Sequence, residues 1–317
     1  MAGYSCLAIS RLPLKPWFVT GFIDAEGTFS WSISKNSKSR LGWTLAPRFS
    51  ICLSIRDLGI LEAFQAFFGG IGVIKTSGNF AYYDINSIIH LAVLFAHLSR
   101  YPLVSRKQDM FAIFLIIYNM YVEKKHLTVH GFMLCVAYIN ILNRSVNLSV
   151  LLAITSKYGS LPLLTLCPVP VTYKFILNPQ WIVGFVCGEG SFSYFTRTRT
   201  TANGDSRVDY NFIFEVSQLP IDSLLLQAIL DHILLYSGVG TGSLISRLGA
   251  VSRIRFGSIS SLQHCVLPFF SEYIPGHKGL QYSVWLEGVT LTMCDTKYSD
   301  QRQLKLAKRN GFLNCKL

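Results

Sequence analysis

Acidic residues are the scarce class in this chain: 17 Asp and Glu stand against 29 Lys and Arg in 317 residues, a formal net charge of +12. That balance excludes an acidic scaffold or tail. It favours a polyanionic partner, nucleic acid or an anionic membrane surface, because such binding releases counterions. Long apolar runs are missing too. The stretches 110–122, 132–142, 161–171 and 224–236 are the longest, and each falls short of the roughly 20 apolar residues of a spanning helix. They read as buried helices and a linker, so no membrane partner is expected. The first ten residues lack a basic segment and a cleavage site, so no secretory signal is expected. Eight cysteines occur without a single CxxC pair, which excludes a zinc module or a secreted disulfide frame and predicts reduced thiols in an intracellular compartment. With 50% apolar and 13% aromatic residues the chain is not disordered, and its length suits two domains.

What is present is a repeat. An offset of 163 carries Pro16, Gly21, Phe22, Glu26, Gly27, Phe29 and Ser30 onto Pro179, Gly184, Phe185, Glu189, Gly190, Phe192 and Ser193. Conservative pairs, such as Phe18 with Trp181 and Trp31 with Tyr194, lie between them. Phe49, Ile51, Asp57 and Leu61 then match Phe214, Val216, Asp222 and Leu226 at 165, and Lys107, Phe111 and Phe114 match Lys278, Tyr282 and Trp285 at 171. A tandem duplication follows, with one repeat over 14–142 and another over 177–310. The intervening 143–176, punctuated by Gly159, Pro162, Pro168 and Pro170, reads as an interdomain linker, apolar enough to lie against the protein.

Each repeat opens with a short apolar helix, entered through Pro16 and closed by Gly27 in the first copy. Strict alternation follows. Thr28, Ser30, Ser32 and Ser34 share one face and Phe29, Trp31 and Ile33 the other; over 44–54, Leu45, Phe49 and Ile51 point inward while Thr44, Arg48 and Ser50 point outward. A helix over 57–68 with Asp57 as N-cap, strands near 71–76 and 79–86, and a helix near 87–98 complete an αββαββα unit. The predicted fold is thus a mixed α/β (α+β) tandem repeat with antiparallel sheets.

Glu26 and Glu189 each occupy the last turn of the apolar helix, where the helix dipole disfavours an anion. A divalent cation removes that conflict. If the two helices pack closely through Gly21 and Gly184, both glutamates and the free carbonyls at the helix ends supply hard oxygen ligands suited to Mg²⁺. By contrast, His126 and His130 have metal-ligand spacing but no third ligand nearby. Gly69-Gly70-Ile71-Gly72 lacks the lysine of a phosphate loop.

Val19-Thr20-Gly21-Phe22-Ile23-Asp24-Ala25-Glu26-Gly27 and Ile182-Val183-Gly184-Phe185-Val186-Cys187-Gly188-Glu189-Gly190 resemble the two motifs of a single-chain LAGLIDADG homing endonuclease. The intron-encoded organellar subgroup is resembled further at Tyr101-Pro102-Leu103 and at Lys124-Lys125-His126-Leu127-Thr128. The resemblance implies two saddle-shaped antiparallel sheets flanking a pseudo-two-fold pair of motif helices. It implies a monomer that binds double-stranded DNA in a mitochondrion, with Mg²⁺ or Mn²⁺ as cofactor. Glu26 and Glu189 would be the metal-binding acids, one per strand, with the carbonyls of Ala25 and Gly188 completing the coordination. Lys75 fits the family's catalytic basic residue in the first repeat; the second reads Thr241-Gly242-Ser243-Leu244, leaving Arg247 or no residue for that role. Cys187 replaces the acid found at Asp24.

The polar strand faces are the expected DNA-reading surface. In the first repeat they carry Ser30, Ser32, Ser34, Asn36, Arg48 and Ser50, with Lys38 and Arg40 in the connecting loop. In the second they carry Ser193, Arg197, Arg199, Arg207, Asp209, Asn211, Arg253 and Arg255. Such residue types match base edges in a major groove, and two such faces would cover on the order of 20 base pairs. Two other readings stay open at this level: a maturase on the same fold that binds intron RNA, and a decayed copy that cuts nothing.

Overall fold

The computed structural model describes residues 13–164, 175, 177–200, 204, 206–238, 244–248, 251–270 and 274–294. Of the features above, Thr241-Gly242-Ser243, Cys6, Cys167, Cys315 and the segment 295–317 lie outside the described residues. By contacts the chain divides into an N unit, Glu26–Lys174, and a C unit formed by Met1–Ala25 with Phe175–Leu317. The opening helix α1 (Pro16–Glu26) therefore groups, up to Ala25, with the second half of the sequence.

In the N unit β1 (Gly27–Lys35), β2 (Trp43–Ser54), α2 (Leu58–Phe67), β3 (Val73–Ser77) and β4 (Phe80–Ile85) follow in order. The strands form one antiparallel sheet ordered β1-β2-β4-β3. Alternation works as predicted: Phe29, Trp31, Leu45, Phe49, Ile51, Ala81, Tyr83 and Ile85 are buried, and the polar face is left open. Four helices follow: α3 (Ile88–Arg100), the two expected from the apolar runs 110–122 and 132–142, α4 (Lys107–Val122) and α5 (Val129–Leu142), and one not expected, α6 (Leu148–Tyr158). The last lies inside the segment read as linker. It is tied down by buried Ile154 and by the Tyr158 hydroxyl, which donates to the Leu41 carbonyl at 2.6 Å.

The C unit repeats the plan with α7 (Pro179–Glu189), β5 (Gly190–Thr200), β6 (Ser206–Gln218), α8 (Ser223–Ser237), β7 (Leu244–Leu248) and β8 (Val251–Phe256), its sheet ordered β5-β6-β8-β7. A helical stretch over 259–269, part of it a π turn, then precedes α9 (Gly276–Cys294). Helix α7 starts where the sequence punctuation puts it, with the Asn178 side chain accepting from the Gln180 N–H at 2.9 Å and Pro179 in the first turn. No helix among the described residues is long and apolar enough to cross a membrane.

The two cores are copies of one aromatic cluster. Phe29 lies 5.2, 5.1 and 5.6 Å from Phe49, Phe111 and Phe114 between ring centroids; Phe192 lies 5.0, 4.9 and 5.2 Å from their counterparts Phe214, Tyr282 and Trp285. Such tilted contacts add to the area burial of large rings. Both leading strands are sheet edges, and both receive side-chain hydrogen bonds on their free backbone. The Asn143 amide accepts from the Trp31 N–H at 3.4 Å and donates to the Trp31 carbonyl at 2.7 Å. On β5, Lys278 Nζ donates to the Gly190 carbonyl at 2.6 Å and the Trp285 indole to the Ser193 carbonyl at 3.1 Å. Unpaired edge groups are thereby covered.

One half-buried base makes the N unit pH-sensitive. The His97 ring packs 5.3, 5.5 and 5.2 Å from the rings of Phe67, Phe68 and Tyr101, and burial lowers its pKa from 6.5 to about 4. The unfolded chain therefore takes up the proton first. Neutral His97 supplies stability that is complete above its unfolded pKa and is lost as pH falls through the window between those two values. We expect the thermal midpoint to drop across that window by a larger amount in the parent chain than in His97→Phe.

Candidate functional site

Helices α1 and α7 cross within the C unit at Gly21 and Gly184. A Cβ on Gly21 would sit 2.0 Å from the Trp181 carbonyl oxygen, and one on Gly184 would sit 2.1 Å from that of Phe18. Only hydrogen fits in either place, so backbone touches backbone. Flanking residues on both helices are sealed: Phe18, Val19, Phe22, Ile23, Trp181, Ile182, Val183, Phe185 and Val186 are all buried.

Each helix ends on its glutamate and passes without a loop into the first strand of its sheet, α1 into β1 at Gly27 and α7 into β5 at Gly190. A Cβ on Gly190 would meet Val186 at 2.5 Å, so glycine is required at that junction. Glu26 is half-buried and Glu189 exposed, with Ala25 and Gly188 half-buried beside them. Helix ends leave carbonyls without intrahelical donors, and a carboxylate with neighbouring main-chain oxygens is a hard donor set that fits Mg²⁺ or Ca²⁺. Among the described residues no three of His, Cys, Asp and Glu cluster as a metal cage. A cation at these ends would fill its shell with water and substrate oxygens, as Mg²⁺ commonly does.

The departure at Cys187 has a physical partner. Asp24, buried, accepts a 2.8 Å hydrogen bond from the Trp181 indole Nε1. By the repeat offset, the counterpart of Trp181 is Phe18, which has no N–H, and the counterpart of Asp24 is Cys187, which is buried and apolar in character. Donor and acceptor have been replaced together.

On the N-unit sheet, the face opposite the core carries the expected Ser30, Ser32, Ser34, Arg48 and Ser50. The exposed Lys38 and Arg40 sit in the β1–β2 turn. Asn36 builds that turn: its Oδ1 accepts from the Lys38 N–H at 3.1 Å and its Nδ2 donates to Thr44 Oγ1 at 2.9 Å. Arg48 does not stand alone. Its Nε and one terminal nitrogen each reach the buried carboxylate of Asp84 at 3.0 Å, and Ser50 Oγ donates to the same group at 2.7 Å. Such a fork fixes the guanidinium plane. Lys75 pairs with Tyr82 across β3 and β4, in the row that runs through Cys52, so its register lies on the polar face.

On the C-unit sheet, Ser193 is half-buried and Arg197, Arg199 and Arg255 are exposed. Asn211 is half-buried, and Arg207 is placed only by its pairing with Arg199. Arg199 Nε contacts Asp209 at 2.7 Å, and Arg253 contacts Glu215 at 3.5 Å. Among the described residues the polar-face carboxylates are Asp84, Asp209 and Glu215, each matched to an arginine, which leaves the described part of both faces net positive. Register also locates the position equivalent to Lys75. It is Ser246, whose cross-strand partner is Arg253 where the N unit has Tyr82. Cation and hydroxyl have exchanged strands. Arg247, the alternative suggested by sequence, pairs with buried Ser252 in the core row of Ile254 and Phe256, so it does not share the row of Lys75. Asp84 and Glu215 carry no local signal in the sequence, because their arginine partners are not sequence neighbours; Lys278, by contrast, is marked by its repeat match to Lys107.

Residues 19–118 match the LAGLIDADG endonuclease family model. A Neurospora crassa protein named Probable intron-encoded endonuclease 3 is 31% identical over 284 residues, 87% of this chain and 50% of that protein. A Podospora anserina protein described as an uncharacterized 50.9 kDa protein in ND4 intron 1 is 36% identical over 118 residues, 36% of this chain and 26% of that protein. The chain thus spans about half or less of the length of the curated relatives it matches. Among solved structures, the meganuclease I-SmaMI, bound to an uncleaved DNA target in the presence of calcium ions, superposes with a TM-score of 0.82 at 27% identity, covering 95% of this chain and 99% of that one. The LAGLIDADG meganuclease I-CpaMI, bound to uncleaved DNA, gives 0.79 at 26% identity, covering 95% and 99%.

Two outcomes follow from the helix crossing. Gly184→Ala is expected to destabilise the chain by about 3 kcal/mol or more, because no side chain can yield to the new methyl. Gly59→Ala on α2, where a Cβ meets nothing within 4 Å, is expected to gain about 0.5–1 kcal/mol; denaturant midpoints measure both. Trp181→Phe is expected to cost about 1–3 kcal/mol by leaving the Asp24 carboxyl short of a donor, and Asp24→Cys in that background to recover part of the loss. A double-mutant cycle without coupling would contradict it.

Proposed function

We infer that this chain, a two-motif member of the LAGLIDADG endonuclease family, is a site-specific homing endonuclease. It hydrolyses one phosphodiester on each strand of a long, asymmetric double-stranded DNA target with the aid of a divalent metal. The observation that carries the reading is the pair Glu26 and Glu189, each closing one of two helices that cross through glycine and each leading directly into a sheet whose polar face carries basic and hydroxyl side chains.

The repeats over 14–142 and 177–310 each bind one half of the target. Arg48, Arg197, Arg199, Arg207, Arg253 and Arg255, with Lys38 and Arg40, supply phosphate and guanine contacts, while Ser30, Ser32, Ser34, Ser50, Ser193, Asn36 and Asn211 supply shorter-range hydrogen bonds. Asp84, Asp209 and Glu215 contact three of those arginines, so less side-chain freedom is lost on binding. Glu26 with the Ala25 carbonyl, and Glu189 with that of Gly188, would hold one Mg²⁺ or Mn²⁺ at each helix end. A bound divalent ion supplies positive charge at the leaving oxygen and acidifies a water. Lys75, on the polar row of the N-unit sheet, adds positive charge at one scissile phosphate.

A solved relative holding its target uncleaved with calcium supports use of a divalent ion. Relatives named for introns support an intron-encoded origin and a mitochondrial site of action. An acid kept at the end of both motif helices, where the helix dipole disfavours it, supports the nuclease over the maturase and over a decayed copy. Both repeats lie in one chain, which supports action as a monomer.

The decisive assay incubates the protein and Mg²⁺ with a plasmid carrying the uninterrupted host-gene sequence that flanks its intron. A defined double-strand cut is expected. Glu26→Gln and Glu189→Gln should each lower cutting at least about 100-fold, as loss of a principal charge-stabilising group does, and the double variant should abolish it while target affinity persists in a gel-shift assay. Absence of any cut across Mg²⁺, Mn²⁺ and a range of salt would overturn the proposal.

A further inference from the structure

Among the described residues, two phenylalanines are exposed: Phe80 at 53% and Phe195 at 47% relative accessibility. Both stand on the polar faces rather than on the helix-covered ones. Phe80 pairs with Ser54 and Ser77, and Phe195 pairs with Asn211. Phe195 belongs to the β5 row of Ser191, Ser193, Arg197 and Arg199, and its counterpart in the first repeat is Ser32. A polar residue suffices at that position for folding, and a phenyl ring left in water forfeits what its burial would contribute.

The surroundings indicate what the ring meets. Asn211 stands directly across the strand pair, Arg197 two residues along, and Arg199 is held by Asp209 at 2.7 Å. These are hydrogen-bonding side chains suited to base edges. Four bases present donors and acceptors in the major groove, and thymine alone adds an apolar group, the C5-methyl, which Phe is among the side chains to contact. A half-exposed ring flanked by donors offers an apolar surface to that methyl. An unpaired RNA base would instead need an open ring face on which to stack.

We propose that Phe195 is a specificity-determining residue that reads a thymine methyl in the half-target bound by the second repeat. The proposal rests on the DNA-cleaving reading above and adds a chemical group and a residue to it.

The test selects bound duplexes from a library randomised over about 20 base pairs, with Ca²⁺ in place of Mg²⁺, using the parent chain, Phe195→Ala, Phe195→Leu and Phe195→Ser. Circular dichroism checks folding, and the serine variant reproduces the first-repeat residue should alanine fail. The parent chain is expected to enrich a thymine at one position that Phe195→Ala leaves degenerate, all other positions staying unchanged, while Phe195→Leu keeps part of the preference. In the selected duplex, replacing that thymine by deoxyuridine removes only the methyl. It should weaken the parent chain roughly fourfold, the worth of one buried methylene-sized group, and leave Phe195→Ala unaffected. Equal affinity of the parent chain for both duplexes would overturn the proposal while leaving DNA recognition intact. So would an unchanged preference in Phe195→Ala combined with lost affinity for single-stranded RNA, which would assign the ring to stacking. Failure of the parent chain to enrich any sequence would overturn the DNA reading and this one with it.

Discussion

Two helices can bring their backbones into contact only where both surrender their side chains, and α1 and α7 do so at Gly21 and Gly184. Much else follows from that crossing. Each helix runs straight into a strand, so helix position sets where β1 and β5 begin and hence the registers Gly27 opposite Ile51 and Gly190 opposite Val216. Parity then decides every side chain along those strands. A shift of one residue at the junction would send the serines and arginines inward and the aromatic core outward. Each glutamate closes its own helix at such a junction, so the register of each leading strand and the placement of its acid are set together.

Electrostatics on the sheet faces follow a simple economy. Acids are few, and those on the polar faces stand against arginines. The Asp84 carboxylate, 4% exposed at its side chain, would be costly alone in that position; gripped by Arg48 and Ser50 it becomes a bracket. The second sheet has a looser pair with the strands exchanged: Glu215 stands on β6 and Arg253, 3.5 Å away, on β8. Positive charge thus remains on both polar faces, and Arg48 is held in place by its two-pronged grip on Asp84.

Sequence carried the repeat, the helix ends and the strand faces because each depends on residues close together in the chain. Period and offset suffice for Phe29 and Phe192 to emerge as equivalent core rings. Contacts between distant residues were not legible. Nothing local marks Asn143 as the partner of Trp31 backbone 112 residues away, or Asp84 as the partner of Arg48. The segment around Ile154 read as linker because the glycine and prolines beyond it outweighed a helix only 11 residues long. Parity alone could not weigh Arg247 against Arg253, since that requires knowing which residue stands opposite which.

Duplication began with two like halves, and the buried pair at the helix crossing records how far they have parted. Asp24 now faces a tryptophan N–H, whereas the reciprocal position couples Cys187 to a helix bearing Phe18. Two copies of the first half brought together would each confront a buried carboxyl with a phenyl ring. Two copies of the second would each confront an indole N–H with a thiol. Either self-association wastes a hydrogen bond that the joined chain satisfies. The halves are therefore not interchangeable at this crossing: replacing either by a copy of the other would lose the hydrogen bond between Trp181 and Asp24.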